Sequence, residues 1–435
     1  MYINKEMTAN QAWKELIKNY NILDKIQKDG MFTITEGKIN QYKESKLMTN
    51  WDSSEFLPHI FKKNKINILP TSRNSYTLSN FKLYENLQFN KEKNIKYASM
   101  PLYESLNVGN VNSKSSAIKV LINSNILNDF LEVDKNLTIF NEYSGTVSFD
   151  FYFNDFNENK HQISVNNAKY KMDCGLENRE SFIVLQAKNI KNTDFNISKL
   201  YYPYRFFEKR IKKPVRLLFL NYSNSIYDMF EYKFEEEKDF SSIKLLNHKK
   251  YSFQDTKIQL EDIKKIRLQT KVIYDDDMRK ARIPFIQVNS FELVISLLEN
   301  LYDNPMTLQQ IAEFMSFEKR QADYYYNAGL YLGLFQKITD DDNNILVTLS
   351  PLGEKIFKMS YKQRQLSLVK QILEHKIFME FFDKAVDCGE IAPINDIKIR
   401  MAELNVCGEG QLYRRAGSVR SWLKWIFDLV DNENV

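Results

Sequence analysis

The sequence predicts two architectures joined in one chain: an α/β domain built on a single mixed sheet flanked by helices, and a largely helical C-terminal domain of winged-helix pattern. Three observations carry this. Residues 117 to 235 alternate helical and strand-like periodicities in the order helix, three strands, helix, two strands. Residues 290 to 350 instead run helix, helix, helix and two short strands around the turn "TDDDNN". The 435 residues are too many for one small core, so two or three domains are expected. The divisions expected are 1–105, an N-terminal helical and β region, then 106–288 and 289–435.

From the N-terminus, "TANQAWKELIKNYNILDKIQKD" places Trp13, Leu16, Ile17, Tyr20, Leu23 and Ile26 at helical spacing, with Thr8 as cap and Gly30 as stop. "NILPTSRNSYTLSNFKLYENL" reads as strands broken by turns. Arg73, in a Ser-Arg-Asn-Ser turn, is placed to meet a phosphate, or is simply an exposed turn arginine. "AIKVLINSNILNDFLE" is an amphipathic helix. "GTVSFDFYF" and "HQISVNNAKYKMD" alternate as strands, and "SFIVLQAK" is a buried one. "TDFNISKLYYPYRFFEKRI" reads as a helix kinked near Pro203. "PVRLLFLNYS" and "IYDMFEYKF" are two further strands, and 240–288 reads as a helical or irregular bridge. Helices near 354–384, 393–404 and 411–428 close the chain.

Composition excludes several classes. Apolar residues form 43% and charged residues 27%, as in ordinary globular proteins. No apolar run approaches the roughly 18 residues of a membrane span, and the N-terminus has no signal-peptide apolar segment. A cytoplasmic protein with no membrane partner is expected. Cys174, Cys388 and Cys407 are scattered, as are the four histidines, and neither a disulfide framework nor a zinc site follows from their spacing. The net charge of +5 is uneven. Residues 289–435 carry 16 basic and 21 acidic side chains, and the remainder carries 45 basic and 35 acidic. The N-terminal two thirds therefore permit a polyanionic partner.

The candidate chemistry lies at "SFIVLQAKN". On a strand Phe182, Val184, Gln186 and Lys188 share one face, apolar at its start and polar at its end. A buried ammonium is costly without a negative companion. Asp173, read as the end of the preceding strand, is expected beside Gln186 and Lys188 across the connection "CGLENRE". A carboxylate, an amide oxygen and a lysine at one sheet edge suit a hard cation and a water. In an ordinary α/β domain Lys188 would be no more than a salt-bridged lysine.

Asp173 followed by Gln186-Ala187-Lys188 resembles the catalytic signature of the PD-(D/E)XK nuclease superfamily, and the glutamine resembles its Mrr-like branch. The stretch from "MDCGLENRE" through "LYYPYRFFEKR" to "IYDMFEYKF" is similar to bacterial type II restriction endonucleases. The resemblance covers 117–235 best. It implies a restriction-endonuclease-like core and Mg²⁺-dependent hydrolysis of double-stranded DNA to 5′-phosphate ends, in a phage-defence system with a cognate DNA methyltransferase. It further implies a homodimer when both strands are cut. Asp173, Gln186 and the Ala187 carbonyl would hold the metal, and Lys188 would act on the attacking water. Gln186 removes one negative charge relative to the commoner acid. Glu177 is the first candidate to replace it; Glu142 and Asp150 are weaker ones. Asn196, Lys199 and Arg205 on the following helix are candidate backbone contacts.

In the winged-helix segment the third helix would enter the major groove through Lys319, Arg320, Gln321 and Tyr324. Its acidic wing tip argues against this, and such motifs also dock proteins. Arg414 and Arg415 lie on a second basic surface. Two other functions remain open: a DNA-binding regulator with an inactive nuclease-like domain, and a repair- or RNA-directed nuclease.

Overall fold

The computed structural model describes residues 7–87, 94–101, 103, 105, 106, 108, 109, 111–133, 138–155, 157–273, 283–315 and 319–430, with backbone alone for 138–143. The acidic run at 275–277 and Glu318 lie outside the described residues.

The expected first helix is two, Ala9–Tyr20 and Ile22–Asp29. They part at Asn21, in the left-handed region at φ 47°, which asparagine tolerates better than most side chains. Thr8 and Gln11 exchange capping hydrogen bonds, and Gly30 stops the second helix at φ 77°. Trp13, Leu16 and Ile26 pack with Phe61 and Leu78. They cover a sheet of β1 (Met31–Thr35), β2 (Asn67–Pro70) and β3 (Ser75–Ser79), in the order β1-β3-β2.

The central sheet is larger than the five expected strands. Its members are β5 (Ile95–Tyr97), β6 (Thr138–Asn154), β7 (Lys160–Glu177), β8 (Phe182–Lys188), β10 (Val215–Ser223), β11 (Ile226–Phe234) and β12 (Ile243–Ser252). They run in the order β5-β12-β11-β10-β8-β7-β6. β4 (Tyr84–Asn86) and β9 (Asp194–Asn196) form a separate ladder. β12 corrects the reading of 240–288 as a bridge. Its "KLLNHKKYS" looks polar because only part of one face is covered, and it pairs along β11.

β8 is the centre of the arrangement. Residues 182 to 187 are all buried, as a strand covered on both faces requires. Phe182 and Val184 face Leu200, Tyr201, Tyr202 and Phe206 of the helix Ser198–Phe207. Ile183, Leu185 and Ala187 face the helices Lys114–Asn123 and Ile126–Leu131 on the other side. β8 and β10 are parallel, so the chain must cross over between them, and Ser198–Phe207 is that crossover. β7 pairs antiparallel with β8. The sheet is therefore mixed and helix-covered.

The C-terminal unit has helices Phe291–Leu301, Leu308–Phe314 and Lys319–Tyr331, then β13 (Phe335–Thr339) and β14 (Ile345–Leu349) as an antiparallel hairpin. Gly329 is required here: a Cβ would stand 1.9 Å from the Phe335 ring. Five more helices between Pro351 and Asp428 complete it. This unit is seated against the sheet by buried polar bonds. Asn189 donates to Asn300, Ser223 meets Ser296 at 3.1 Å, and the Asn224 N–H donates to Glu299 at 2.9 Å. Burial pushes the Glu299 carboxyl up, and Arg364 at 3.0 Å opposes that. Among the described residues no helix is long and apolar enough to cross a membrane.

Candidate active site

β7 and β8 pair from Glu177 opposite Phe182 to Cys174 opposite Leu185, and there the pairing ends. Side chains take over from the backbone. Asp173 Oδ2 accepts the Ala187 N–H at 2.9 Å, and Gln186 Nε2 donates to the Lys171 carbonyl at 2.9 Å. The two strands are thus wedged apart by the residues at the candidate site. Asp173 does not end its strand as expected, because β7 continues to Glu177. Antiparallel register brings Asp173 to Gln186; the connection does not.

The wedge is lined by charge from three segments. Lys188 is ion-paired with Asp52, which belongs to the N-terminal unit. Lys199 lies 3.9 Å from Asp52 and donates to Asn50 at 2.7 Å. Lys114, in the first turn of its helix, meets Asp173 Oδ1 at 2.5 Å. Asp52 is fixed from below. Its carbonyl accepts the Asn196 N–H at 3.2 Å, the Ser54 N–H donates to Asp194 at 2.9 Å, and Trp51 is buried against Phe61. Two carboxylates thus face three ammoniums, and the cluster carries net positive charge. Burial alone would raise the Asp52 carboxyl; the Lys188 and Lys199 ammoniums outweigh it and hold the group at about 2. Burial lowers the Lys199 ammonium, Asp52 opposes the shift, and Lys188 adds to it.

The oxygens of Asp173, Gln186 and Asp52 are of the hard type that magnesium takes. Asp173 Oδ1 already holds a cation in the form of the Lys114 ammonium. Gln186 spends its amide nitrogen on Lys171, which leaves its oxygen to point elsewhere. Asp52 supplies a second carboxylate. Among the described residues no three His, Cys, Asp or Glu side chains gather closely enough to hold a metal by themselves. That is compatible with magnesium, which commonly takes one or two carboxylates and keeps several waters.

Other expected site residues fall elsewhere. Glu177 lies opposite Phe182, at the far end of β8 from Lys188, and meets Lys213 at 2.6 Å. Four residues of β7, about 13 Å of strand, separate it from Asp173. Asp150 is exposed on β6 opposite Ser164, and the side chain of Glu142 lies outside the described residues. Arg205 is not a backbone contact. It is 1% exposed, bound to Glu237 at 2.6 Å, and lies over the Phe149 ring at 5.2 Å. It faces inward from its helix, one turn from Tyr201, and joins helix to sheet. Asn196 is committed too: it accepts from the Ser198 N–H at 3.0 Å. Arg415 is buried and donates to Gln411 at 2.9 Å, whereas Arg414 is exposed. Lys319, Arg320 and Gln321 are exposed on the first turn of their helix, and Arg320 lies over Tyr324 at 5.5 Å.

Asp52 is the residue that sequence reasoning missed. It stands 121 positions before Asp173 in an unremarkable "NWDSS", and no spacing rule reaches across two folding units. Two cavities flank the cluster. One, of about 470 Å³, runs between the N-terminal sheet and β7. Lys46, Arg73, Lys169, Lys171 and Lys199 line it against Glu36, its single acid. The other, of about 300 Å³, shares Asp52, Lys114 and Lys188 and opens toward the C-terminal unit.

Comparison with known families matches three stretches of the chain. Residues 10–78 match a domain of unknown function (DUF6996), 79–252 a second (DUF6997) and 293–431 a third (DUF7226). Asp52 lies in the first and Asp173, Gln186 and Lys188 in the second, so the cluster is assembled from two of these units. No curated protein and no solved structure matches the chain.

Proposed function

We propose that this protein is a Mg²⁺-dependent, sequence-specific endonuclease of double-stranded DNA, acting as type II restriction endonucleases do. The observation that carries the reading is the wedge between β7 and β8, where the Asp173 carboxylate takes the Ala187 N–H, between Gln186 and Lys188, at the end of a buried central strand. The surrounding order supports it. Helix, β6, β7, β8, crossover helix and parallel β10 agree with the helix-strand-strand-strand-helix-strand core of the PD-(D/E)XK superfamily, which the signature resembles.

In this reading the basic groove carries the DNA backbone to the cluster, because its cations neutralise phosphates irrespective of sequence. Lys199 belongs to both groove and cluster, and so places the scissile phosphate against Lys188 and Lys114. A bound magnesium ion would neutralise phosphate charge and acidify water at the Asp173, Gln186 and Asp52 oxygens. Lys188 orients the attacking water and stabilises the charge that develops on the phosphoryl oxygens. The new bond joins water oxygen to phosphorus. The bond to the 3′ oxygen breaks, that oxygen leaves with a proton, and the phosphate stays on the 5′ end. Asp52 holds Lys188 in place until substrate arrives.

The helices Phe291–Leu301, Leu308–Phe314 and Lys319–Tyr331 with hairpin β13–β14 follow the winged-helix order, and Arg320 is its base-reading candidate. With one such cluster per chain among the described residues, cutting both strands at once calls for two copies. A methyltransferase acting on the same site would complete the system. Incubating the purified protein with methylated and unmethylated DNA plus Mg²⁺, and sequencing the ends, tests the reading. Defined ends that vanish with Lys188→Ala are expected. Uncut DNA in every case, or equal cutting by the variant, would overturn it.

A further inference from the structure

The 300 Å³ cavity on the C-terminal side of the cluster has two chemically different parts. Its charged lining residues are Asp52, Lys114 and Lys188, which it shares with the cluster. Every other residue lining it is neutral. Phe56, Phe314 and Met315 give apolar walls from the N- and C-terminal units, and Asn189 and Asn192 come from the chain just after Lys188. Both asparagines are more than nine-tenths buried. Asn189 uses its amide nitrogen on Asn300, and no hydrogen bond to its side-chain oxygen is found among the described residues. The Asn192 side chain makes none there either; only its backbone N–H is engaged, with Asn221 at 3.3 Å. Neither amide is among the side-chain groups sealed from solvent without a partner, so both open onto space.

A charged part shared with the cluster and a neutral part that combines amides with apolar side chains match the two ends of a single nucleotide. The phosphate suits the charged part. The base offers flat faces for Phe and Met, and an edge of donors and acceptors for asparagine, whose amide carries one of each. A base in an intact duplex is stacked and cannot enter; one rotated out of the helix can, and a pocket then reads its edge and stacks its faces. We infer that the nucleotide flanking the scissile phosphate is extruded from the duplex and its base held in this cavity, with Asn189 and Asn192 reading its edge. The inference rests on the nuclease reading above.

The test uses the full chain and a duplex of the cleaved sequence, identified from the product ends, with 2-aminopurine placed in turn at each nucleotide flanking the cut. Calcium replaces magnesium so that the duplex stays whole, and binding is followed separately by anisotropy. Stacked 2-aminopurine is quenched and extruded 2-aminopurine is bright. A several-fold rise is expected at one flanking position with wild type and with Leu268→Ala, an exposed side chain outside the cluster and the groove, and loss of at least half of it with Asn192→Leu. Binding by wild type with no rise at any position overturns the inference and leaves the nuclease reading standing. A rise that persists in folded, DNA-binding Asn192→Leu and Asn189→Ala variants also overturns it, because the base then sits elsewhere. Wild-type protein that cuts no DNA removes both readings together.

Discussion

The groove beside β7 and the helix Lys319–Tyr331 were both candidates to meet DNA, and they differ in how their charge is arranged. The groove is concave and gathers Lys46, Arg73, Lys169, Lys171 and Lys199 around a single acid. The helix is convex and shows Lys319 and Arg320 on one turn, while its own Asp323 and the hairpin-tip Asp340, Asp341 and Asp342 lie nearby in the chain. A concave surface of one sign focuses the field that attracts a polyanion. In the proposed reading, strength of backbone binding therefore belongs to the groove, and the helix is suited at most to reading a base. Shape decides this more than net charge, since the five groove cations come from four separate segments.

The sharpest way to break the comparison is at the point the groove leads to. Lys188→Ala and Asp173→Ala should each lower cleavage by about 100-fold or more, the scale expected when a group acts at the transition state, with DNA affinity nearly unchanged. Single-turnover cleavage and a binding titration check this; near wild-type cleavage by either variant removes the catalytic assignment. Asp52→Asn should come next. It frees Lys188 and removes a carboxylate oxygen, so cleavage falls while the fold persists. The variant also has a pH signature. The Asp52 carboxyl sits at about 2 in the fold against an ordinary 3.8. Its stabilising contribution is thus complete above about pH 4 and disappears as pH falls toward 2, and it amounts to roughly 2 kcal/mol. Urea unfolding of wild type and Asp52→Asn across that window should converge at the acid end. Parallel curves would mean that Asp52 is not held by the lysines.

Much of this arrangement was legible in the sequence. The apolar run Phe182–Leu185 ending in Gln186 and Lys188 reads as a buried strand with a polar end, and the helix Ser198–Phe207 falls within the stretch read as helical, although Asp194–Asn196 at its start is a strand. β12 was hidden because a strand with one poorly covered face carries too many lysines to alternate clearly. β5 was hidden by its length of three residues. Glu177 was misplaced because the strand continued through Cys174 and Gly175, where a turn was expected. Arg205 shows the converse problem. A helix arginine reads the same whether it faces solvent or Glu237, and only tertiary packing decides which. Asp52 depends on how two units dock, which local patterns do not encode.

Gln186→Glu sharpens the metal assignment with a smaller effect. The amide nitrogen donates to the Lys171 carbonyl at 2.9 Å, and a carboxylate would face that carbonyl without a proton to share. A loss of about 1–3 kcal/mol in stability is expected from the lost bond and the stranded acceptor. The added charge should at the same time lower the Mg²⁺ concentration needed for half-maximal cleavage, with activity retained at saturation. Thermal unfolding and a Mg²⁺ titration separate the two effects. If cleavage is lost at all Mg²⁺ concentrations in a folded variant, the amide is required for more than holding the wedge.

The smallest effects distinguish the groove from the helix. A lysine or arginine that neutralises one phosphate releases roughly 0.9 counterion, so its loss should flatten the logarithmic salt dependence of binding by about one unit for every sequence alike. Arg73→Ala and Lys171→Ala should both behave this way, because they line the groove and no base edge need approach them. Lys319→Ala should do the same if its helix meets the backbone. Arg320→Ala should leave the slope nearly unchanged and instead relax choice at one base pair, where a paired arginine contributes about 1–3 kcal/mol. Binding titrated over several salt concentrations, together with cleavage of a randomised-site library, measures both quantities on the same proteins. Wild-type slopes for Arg73→Ala and Lys171→Ala would move the DNA away from the groove. Wild-type slope and site choice for Lys319→Ala and Arg320→Ala would make the helical unit a packing module, and leave sequence reading to residues before 289.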